Sequence, residues 1–176
     1  YKLQKDVVAA EIDVIRELGV EIRCGVEVGK DVTIQELRDQ GYKAFYIAIG
    51  CQGSRKAGVE GEDAEGVISA VDHLYNVHAL GDKMKVGKKV VVVGGGNVAV
   101  DAARTSARLG GEDDQMFCLE SRETMPASDE EVEETLAENI AINNGWGPKE
   151  FLKDENGKVT GVVFKKCVSV FDENHK

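Results

Sequence analysis

The amino-acid sequence predicts an α/β fold: a Rossmann-like parallel sheet with helices on both faces and an added β-hairpin or meander. Apolar runs at residues 89–93 and 116–119 flank a helix-forming stretch at 100–109, the strand-helix-strand order typical of parallel sheets. Further along the chain, Asn156-Gly157 separates two strand-forming runs, at 150–153 and 159–167. Asn-Gly in that position indicates a hairpin turn.

The first 50 residues contain both helical and strand patterns. Apolar residues recur at helical spacing over 5–18, and Gly19 follows as the stop. Thr33 and Glu36 have the spacing of a capping box, which predicts a short helix ending before Gly41. Residues 20–24 and 26–28 are interpreted as short strands. Residues 42–49 are predicted to form a buried strand.

The middle of the chain alternates connections with regular elements. Residues 51–66 are rich in glycine and charge and show no period, so we expect a connection there. Ser69 can cap a helix to about residue 79, before a loop at 81–87. Ser128 and Glu131 form a second capping box, for a helix to about residue 139, and 140–143 form a third strand. We therefore expect a flavin-domain segment and linker at 1–60, and a nucleotide-binding domain at 61–176 that is incomplete at its C-terminus.

A glycine-rich turn joins the first apolar run to its helix, in the order Gly94-Gly95-Gly96-Asn97-Val98-Ala99. This is the G-x-G-x-x-G/A fingerprint in its strand-turn-helix context, which favours dinucleotide binding. Gly94 allows a turn closed to residues with a Cβ, Gly96 allows a phosphate to approach the backbone, and Ala99 is small enough for close packing. The N–H groups of Gly96, Asn97 and Val98 are candidate donors to a pyrophosphate.

An acidic residue completes the fingerprint. Glu120 lies 21 residues beyond Ala99, close to the separation of about 20 at which an acid contacts the adenosine ribose. Two alternatives stay open: a plain tight turn in another α/β fold, and a methyltransferase that binds S-adenosylmethionine through a similar loop. Such methyltransferases often have an acid just before the glycines, where this chain has Val92 and Val93.

Composition limits the remaining function classes. A net charge of −10 over 176 residues argues against a nucleic-acid partner. No apolar stretch approaches the roughly 20 residues that span a bilayer and no signal pattern is visible, so we expect a cytoplasmic protein without a membrane span. No pair among the four cysteines forms C-x-x-C or zinc spacing, so we expect no metal site. Three of the four lie in or beside apolar runs, so we expect buried reduced thiols. Because the chain begins at Tyr1, we expect an excised piece of a larger protein.

These residues resemble a known family. Residues 92–104 and 121–128 are similar to the nicotinamide-binding segments of the glutamate synthase small (beta) subunit family of FAD-dependent pyridine nucleotide oxidoreductases. That family is related to the disulfide reductases and to the reductase portion of dihydropyrimidine dehydrogenase. Residues 48–50 with 58–63 resemble the passage from the FAD domain to the nicotinamide domain. Residues 144–149 and 169–172 also fit, so the resemblance covers nearly the whole chain.

The resemblance implies a function and a set of cofactors. A nicotinamide dinucleotide would bind across Gly94–Ala99 and pass a hydride to FAD, with Ser121 and Arg122 on the segment after the second strand. Ala48, Ile49 and Gly50 would lie at the edge of the flavin site. The parent polypeptide would add an FAD domain and an iron–sulfur domain, with a catalytic large subunit as a further partner. No acid–base or nucleophilic catalyst is implied in this chain.

The chain departs from the family pattern at one point. NADPH-using members tend to have two arginines where this chain has Leu119 and Glu120. An acid there repels a 2′-phosphate and accepts hydrogen bonds from both ribose hydroxyls, which favours NAD(H) over NADP(H). Arg122 could still present its fork to a phosphate, or it could pair with Glu123 or Glu130. A regulatory module that senses a dinucleotide without turning it over is the alternative function.

Overall fold

The structure, a computed structural model, describes residues 3–80 and 85–171, with the backbone alone for 78–80. The chain divides into two units, Tyr1–Gly50 and Cys51–Lys176. Part of the loop predicted at 81–87 lies outside the described residues, which exclude 81–84.

The first unit contains two helices, α1 (Lys5–Glu17) and α2 (Ile34–Asp39), and neither has a buried residue. The predicted capping box of α2 is confirmed. The Glu36 N–H donates to Thr33 Oγ1 at 3.1 Å, and the Thr33 N–H donates to Glu36 Oε2 at 2.7 Å. Both bonds are local, so they form wherever this short sequence turns into a helix.

The strands predicted in the first unit are not formed. Residues 20–24, 26–28 and 42–49 have no strand structure apart from an isolated bridge between Val28 and Val32. The stretch at 42–49 is also exposed rather than buried, with Tyr46 at 94%. A strand needs the hydrogen bonds of a neighbouring strand, and within the described residues no ladder forms beside these segments. Their apolar content alone suggested strands.

The second unit is built on a parallel sheet in the order β1 (Lys89–Val93), β2 (Asp113–Cys118) and β3 (Ala141–Asn144). Helix α4 (Asn97–Arg108) connects β1 to β2, and α5 (Asp129–Ala137) connects β2 to β3. The predicted α/β fold and all three of its strands are confirmed. Because the strands are parallel, their carboxyl ends meet at one edge of the sheet, where the glycine turn begins.

Alternation along β2 shows what covers each face of the sheet. Met116 and Cys118 are buried in a cluster with Val100 of α4 and Val132 of α5. The intervening Phe117 points to the other face, where its ring stacks on Phe164 with centroids 4.0 Å apart.

The second face is therefore contacted by the predicted hairpin, formed by β4 (Trp146–Lys153) and β5 (Val159–Lys166). The hairpin is confirmed. The predicted fold has helices on both faces of the sheet. In the structure, the element that packs against Phe117 on the second face is the hairpin and not a helix.

A further helix, α3 (Ala70–Leu80), lies against α4. Its predicted start is confirmed, since Ser69 Oγ accepts a hydrogen bond from the Asp72 N–H at 3.3 Å. His73 of α3 is buried, with Nε2 3.1 Å from Ser106 Oγ. No helix within the described residues is long and apolar enough to cross a membrane.

Candidate functional site

The glycine turn begins at Gly94, directly after β1. Gly94 has φ of +144°, a backbone conformation that residues with a Cβ rarely adopt. A Cβ at this position would also lie 3.2 Å from the Cβ of Ala99. The Gly94 N–H still donates to the Phe117 carbonyl at 2.9 Å, so the turn starts while the chain is joined to β2. The approach of helix α4 to the strand therefore depends on a glycine at 94 and a small residue at 99.

Helix α4 begins one residue after Gly96, which is its N-cap with φ of −96° and ψ of 173°. A Cβ on Gly96 would meet no atom within 4 Å. In the part of the chain that the structure describes, the N–H groups of Gly96, Asn97 and Val98 donate to no acceptor. Unpaired donors at the positive end of a twelve-residue helix attract an anion. The backbone here is open to one.

Glu120 lies beside the turn. A Cβ on Gly95 would be 2.9 Å from Glu120 Oε2 and 3.0 Å from the Cβ of Cys118, so the carboxylate lies close against the glycine backbone. The Glu120 carbonyl accepts hydrogen bonds from the Gly145 N–H at 3.1 Å and from Asn144 Nδ2 at 3.2 Å. The last residue of β3 and the glycine after it thus hold the backbone that carries the carboxylate.

Cys118 lies under this arrangement, only 2% exposed. Its Sγ accepts a hydrogen bond from Asn144 Nδ2 at 3.2 Å. Burial, and secondarily the negative charge of Glu120, raises the pKa of the Cys118 thiol. A thiol that stays protonated packs as an apolar group, so Cys118 supports the turn rather than reacting.

The segment before α5 also closes on the turn, which the sequence did not predict. The Ala127 N–H donates to the Gly95 carbonyl at 3.0 Å, and the Ser128 N–H donates to Asn97 Oδ1 at 3.0 Å. Ser128 caps α5 as predicted, accepting from the Glu131 N–H at 3.4 Å. The other hydrogen bond of the predicted capping box would run from the Ser128 N–H to the Glu131 side chain. The Ser128 N–H donates to Asn97 Oδ1 instead. Residues 31 positions apart make this contact, and no local pattern signals it.

Ser121 and Arg122 begin the same segment. Ser121 caps a short 3-10 helix, Arg122–Thr124, with its N–H 3.2 Å from Thr124 Oγ1. Arg122 Nη2 donates to Asp129 Oδ1 at 2.9 Å, so its partner is Asp129 rather than Glu123 or Glu130. A pocket of about 550 Å³ lies along this segment. Its lining consists of Arg122, Glu123, Met125, Ala127, Ser128 and Asp129.

A cluster of ion pairs joins the two helices of the site. Arg104 of α4 has a side chain only 7% exposed and contacts Glu131, Glu134 and Glu138, with Nη2 2.6 Å from Glu138 Oε1. Arg108 adds a second contact to Glu138 at 2.7 Å. Hydrogen bonds from Arg108 and Arg104 lower the pKa of Glu138 to about 2. Glu131 and Glu134 of α5, with Glu138 directly after it, thus hold this helix against α4.

The remaining candidates belong elsewhere. Ala48, Ile49 and Gly50 are exposed residues at the end of the first unit, whereas every other candidate lies in the second unit. Across residues 3–80 and 85–171, no group of three or more His, Cys, Asp or Glu side chains could hold a metal ion.

A parallel sheet with a glycine turn after β1 and an acid after β2 defines the dinucleotide-binding class of α/β proteins. The chain belongs to the pyridine nucleotide-disulphide oxidoreductase family, whose model matches residues 4–172. The resemblance inferred from the sequence is therefore confirmed.

Relatives make that resemblance specific. The chain is 37% identical over 171 residues to the NADPH-Fe(3+) oxidoreductase subunit beta of Geobacter sulfurreducens, covering 96% of this chain and 25% of that protein. It is 32% identical over 172 residues to the glutamate synthase [NADPH] small chain of Escherichia coli K12, covering 92% of this chain and 36% of that protein. The chain thus spans about a quarter to a third of these two relatives.

Solved structures share the fold. FprA from Mycobacterium tuberculosis, as a His57Gln mutant, aligns with a TM-score of 0.72 at 18% identity, covering 91% of this chain and 51% of that chain. The thioredoxin reductase of T. acidophilum aligns with a TM-score of 0.52 at 21% identity, covering 66% of this chain and 36% of that chain. Both likenesses concern the fold alone.

Proposed function

We propose that this chain binds a nicotinamide dinucleotide at the glycine turn and positions it to deliver a hydride to FAD, within a larger flavin and iron–sulfur oxidoreductase. The observation that carries the proposal is the start of α4. Among the described residues, the N–H groups of Gly96, Asn97 and Val98 have no acceptor, and the space where Gly96 lacks a side chain is open. Family membership supports the same chemistry. The nicotinamide supplies the hydride, and the residues of this chain bind and orient it.

The pyrophosphate is expected against residues 96–98. The N–H groups of Gly96, Asn97 and Val98 would donate to its oxygens, and the dipole of α4 would stabilise the negative charge. Gly96 keeps the backbone accessible to the phosphate, because the space that a Cβ would fill is open. Asn97 would contribute through its N–H while its Oδ1 holds the segment before α5.

The adenosine ribose is expected against Glu120, and we propose NAD(H) as the preferred coenzyme. The carboxylate lies beside Gly95, where it can accept hydrogen bonds from both ribose hydroxyls and repel a 2′-phosphate. The names of the relatives above specify NADPH, so this chain would differ from them at the position that contacts the ribose. The N-terminal unit, with Ala48, Ile49 and Gly50, would border the flavin site, and Ser121 and Arg122 would flank the ribose.

Gly96→Ala tests the pyrophosphate site. The φ of −96° accepts alanine and no atom lies within 4 Å of the new Cβ, so the thermal midpoint should change little. The methyl group would instead occupy the space of the phosphate, and NADH affinity should fall at least about tenfold, a loss of about 1.4 kcal/mol. Isothermal titration calorimetry measures the affinity. Gly94→Ala is the matched control: it should destabilise the fold, because of its φ of +144° and the nearby Ala99.

Glu120→Arg tests the ribose site. The arginine replaces a repelling charge with a cation that can pair with a 2′-phosphate, so the ratio of NADPH to NADH affinity should rise by about tenfold or more. Competitive titration with both coenzymes measures the ratio. An unchanged ratio in a variant that still binds NADH would show that Glu120 does not contact the ribose.

Flavin reduction separates the proposal from the alternative functions. The expected parent polypeptide would be cytoplasmic, would contain FAD and iron–sulfur domains, and would bind a catalytic large subunit. In that protein, NADH should bleach the flavin absorbance. Binding without flavin reduction would indicate a sensing module. Thermal stabilisation by S-adenosylmethionine rather than NADH would indicate a methyltransferase and would contradict the proposal.

A further inference from the structure

Arg122 is a cation placed close to the expected ribose site. It follows Glu120 by two residues, and it is one of the residues that line the pocket on the segment before α5. Its side chain is 42% exposed, so it remains within reach of a ligand, and its Nη2 donates to Asp129 at 2.9 Å. The Arg122 side chain is thus partly exposed while one of its nitrogens is bound to a carboxylate.

The segment that carries Arg122 is tied to the glycine turn. The Ala127 N–H bonds to the Gly95 carbonyl, and the Ser128 N–H bonds to Asn97 Oδ1, both at 3.0 Å. The pocket therefore lies along the flank of the turn rather than on a separate surface. A dinucleotide seated on the turn, with its ribose at Glu120, would place a 2′-substituent near this pocket.

Asp129 is well placed to hold Arg122. It is the first residue of α5, where the positive end of the helix dipole stabilises a carboxylate. A carboxylate and a phosphate compete for the donors of a guanidinium fork, and the bond from Arg122 Nη2 to Asp129 takes one of the donors that a bidentate pair with a 2′-phosphate would use. The charge of Asp129 would in addition repel that phosphate.

We propose that Asp129 is a specificity-determining residue, which withholds Arg122 from the 2′-phosphate of a nucleotide and thereby adds to the discrimination by Glu120. This inference rests on the proposed function, because it requires the ribose to lie at Glu120. It assigns Arg122 a latent capacity to bind phosphate that removal of Asp129 would release.

The test compares NADPH and NADH affinity in Asp129→Asn with that of the unaltered 176-residue chain. NADPH affinity should rise about three- to tenfold, since an exposed ion pair that competes for Arg122 and one repelling charge are both removed. NADH affinity should stay within about twofold. Because exposed charges are screened, the NADPH gain should shrink on going from about 0.05 M to 0.5 M salt.

Two further variants isolate the ion pair. Glu130→Gln removes the same charge from the next residue of the same helix, and no ion pair within the described residues involves Glu130, so it should produce a much smaller NADPH gain. In Arg122→Gln combined with Asp129→Asn, the gain should be lost, because no guanidinium is left to release. Thermal melting of each variant verifies that it is folded.

The outcomes separate the two proposals. If NADH binds normally and Asp129→Asn leaves the NADPH to NADH ratio unchanged, the inference about Asp129 is wrong while the binding site stands. An equal gain in Glu130→Gln would likewise overturn it, because general charge would then explain the effect. If neither coenzyme binds any folded variant, the proposed function fails and the inference fails with it.

Discussion

The two units of this chain use the same local devices and differ in what surrounds them. In the first unit, α1 and α2 have no buried residue, and the apolar side chain of Leu18 is 79% exposed. In the second, Met116, Val100 and Val132 are entirely buried between the sheet and its helices. Helix capping therefore forms without a core. The strands form only where neighbouring strands and helices cover them.

The largest expected effect contrasts the two environments of an apolar side chain. Met116→Ala removes the largest side chain that is fully buried in the described part of the chain, and it should cost about 2–5 kcal/mol of unfolding free energy, because it leaves a cavity between β2 and α4. Leu18→Ala removes an exposed side chain and should change stability by less than about 0.5 kcal/mol. Urea unfolding measures both, followed by circular dichroism and by the fluorescence of Trp146, the only tryptophan of the chain. Comparable losses in the two variants would show that Leu18 is buried in solution.

The same contrast explains how much the sequence predicted. The glycine turn, both helix caps and the strands of the second unit follow from local signals: a glycine fingerprint, a serine or threonine three residues before a glutamate, and apolar runs of strand length. The prediction of a strand at 42–49 is wrong, because an apolar run does not specify the neighbouring strand with which it would pair. Pairing is a long-range property, and within the described residues this run has no ladder.

Parts of the candidate site were unpredictable for the same reason. Arg122 was expected to bind a phosphate or to pair with Glu123 or Glu130. It pairs with Asp129, seven residues away, because the segment folds back toward α5. The contact of Ser128 with Asn97 also depends on how the segment closes on the turn. Spacing along the chain indicates the expected pyrophosphate and ribose positions. The segment before α5, which lies beside them, takes its place through tertiary contacts.

The next contrast is between two ion pairs of equal length whose glutamate side chains differ in exposure. Arg108 and Glu138 are 2.7 Å apart in the second unit, and so are Arg23 and Glu21 in the first, but the side chain of Glu138 is 28% exposed and that of Glu21 is 64%. Glu138→Gln should cost about 1–3 kcal/mol at pH 7, because it leaves the buried Arg104 with fewer acceptors. Glu21→Gln should leave the unfolding midpoint unchanged, because solvent screens that pair.

The pH dependence sharpens this second contrast. Arginine contacts lower the pKa of Glu138 from 4.5 to about 2, so its stabilisation is fully present above pH 4.5 and is lost as the pH falls toward 2. Unfolding free energies measured in urea between pH 2 and pH 5 should therefore rise less steeply in Glu138→Gln than in the unaltered chain. Equal slopes in the two proteins would show that the carboxylate is not held by Arg104 and Arg108 in solution.

The smallest expected effect compares the two helix caps. Ser128→Ala removes a side-chain acceptor from α5, which packs on α4 and β3, and should lower the unfolding free energy reported by Trp146 by about 1 kcal/mol. Thr33→Ala removes a complete capping box, yet α2 buries none of its residues. Its loss should appear as faster amide hydrogen exchange over 34–39, with no shift in the Trp146 transition, because a helix without packing contributes only to its own local equilibrium. A Trp146 transition shifted by Thr33→Ala as far as by Ser128→Ala would mean that α2 unfolds together with the sheet. The caps would then be energetically equivalent despite their different surroundings.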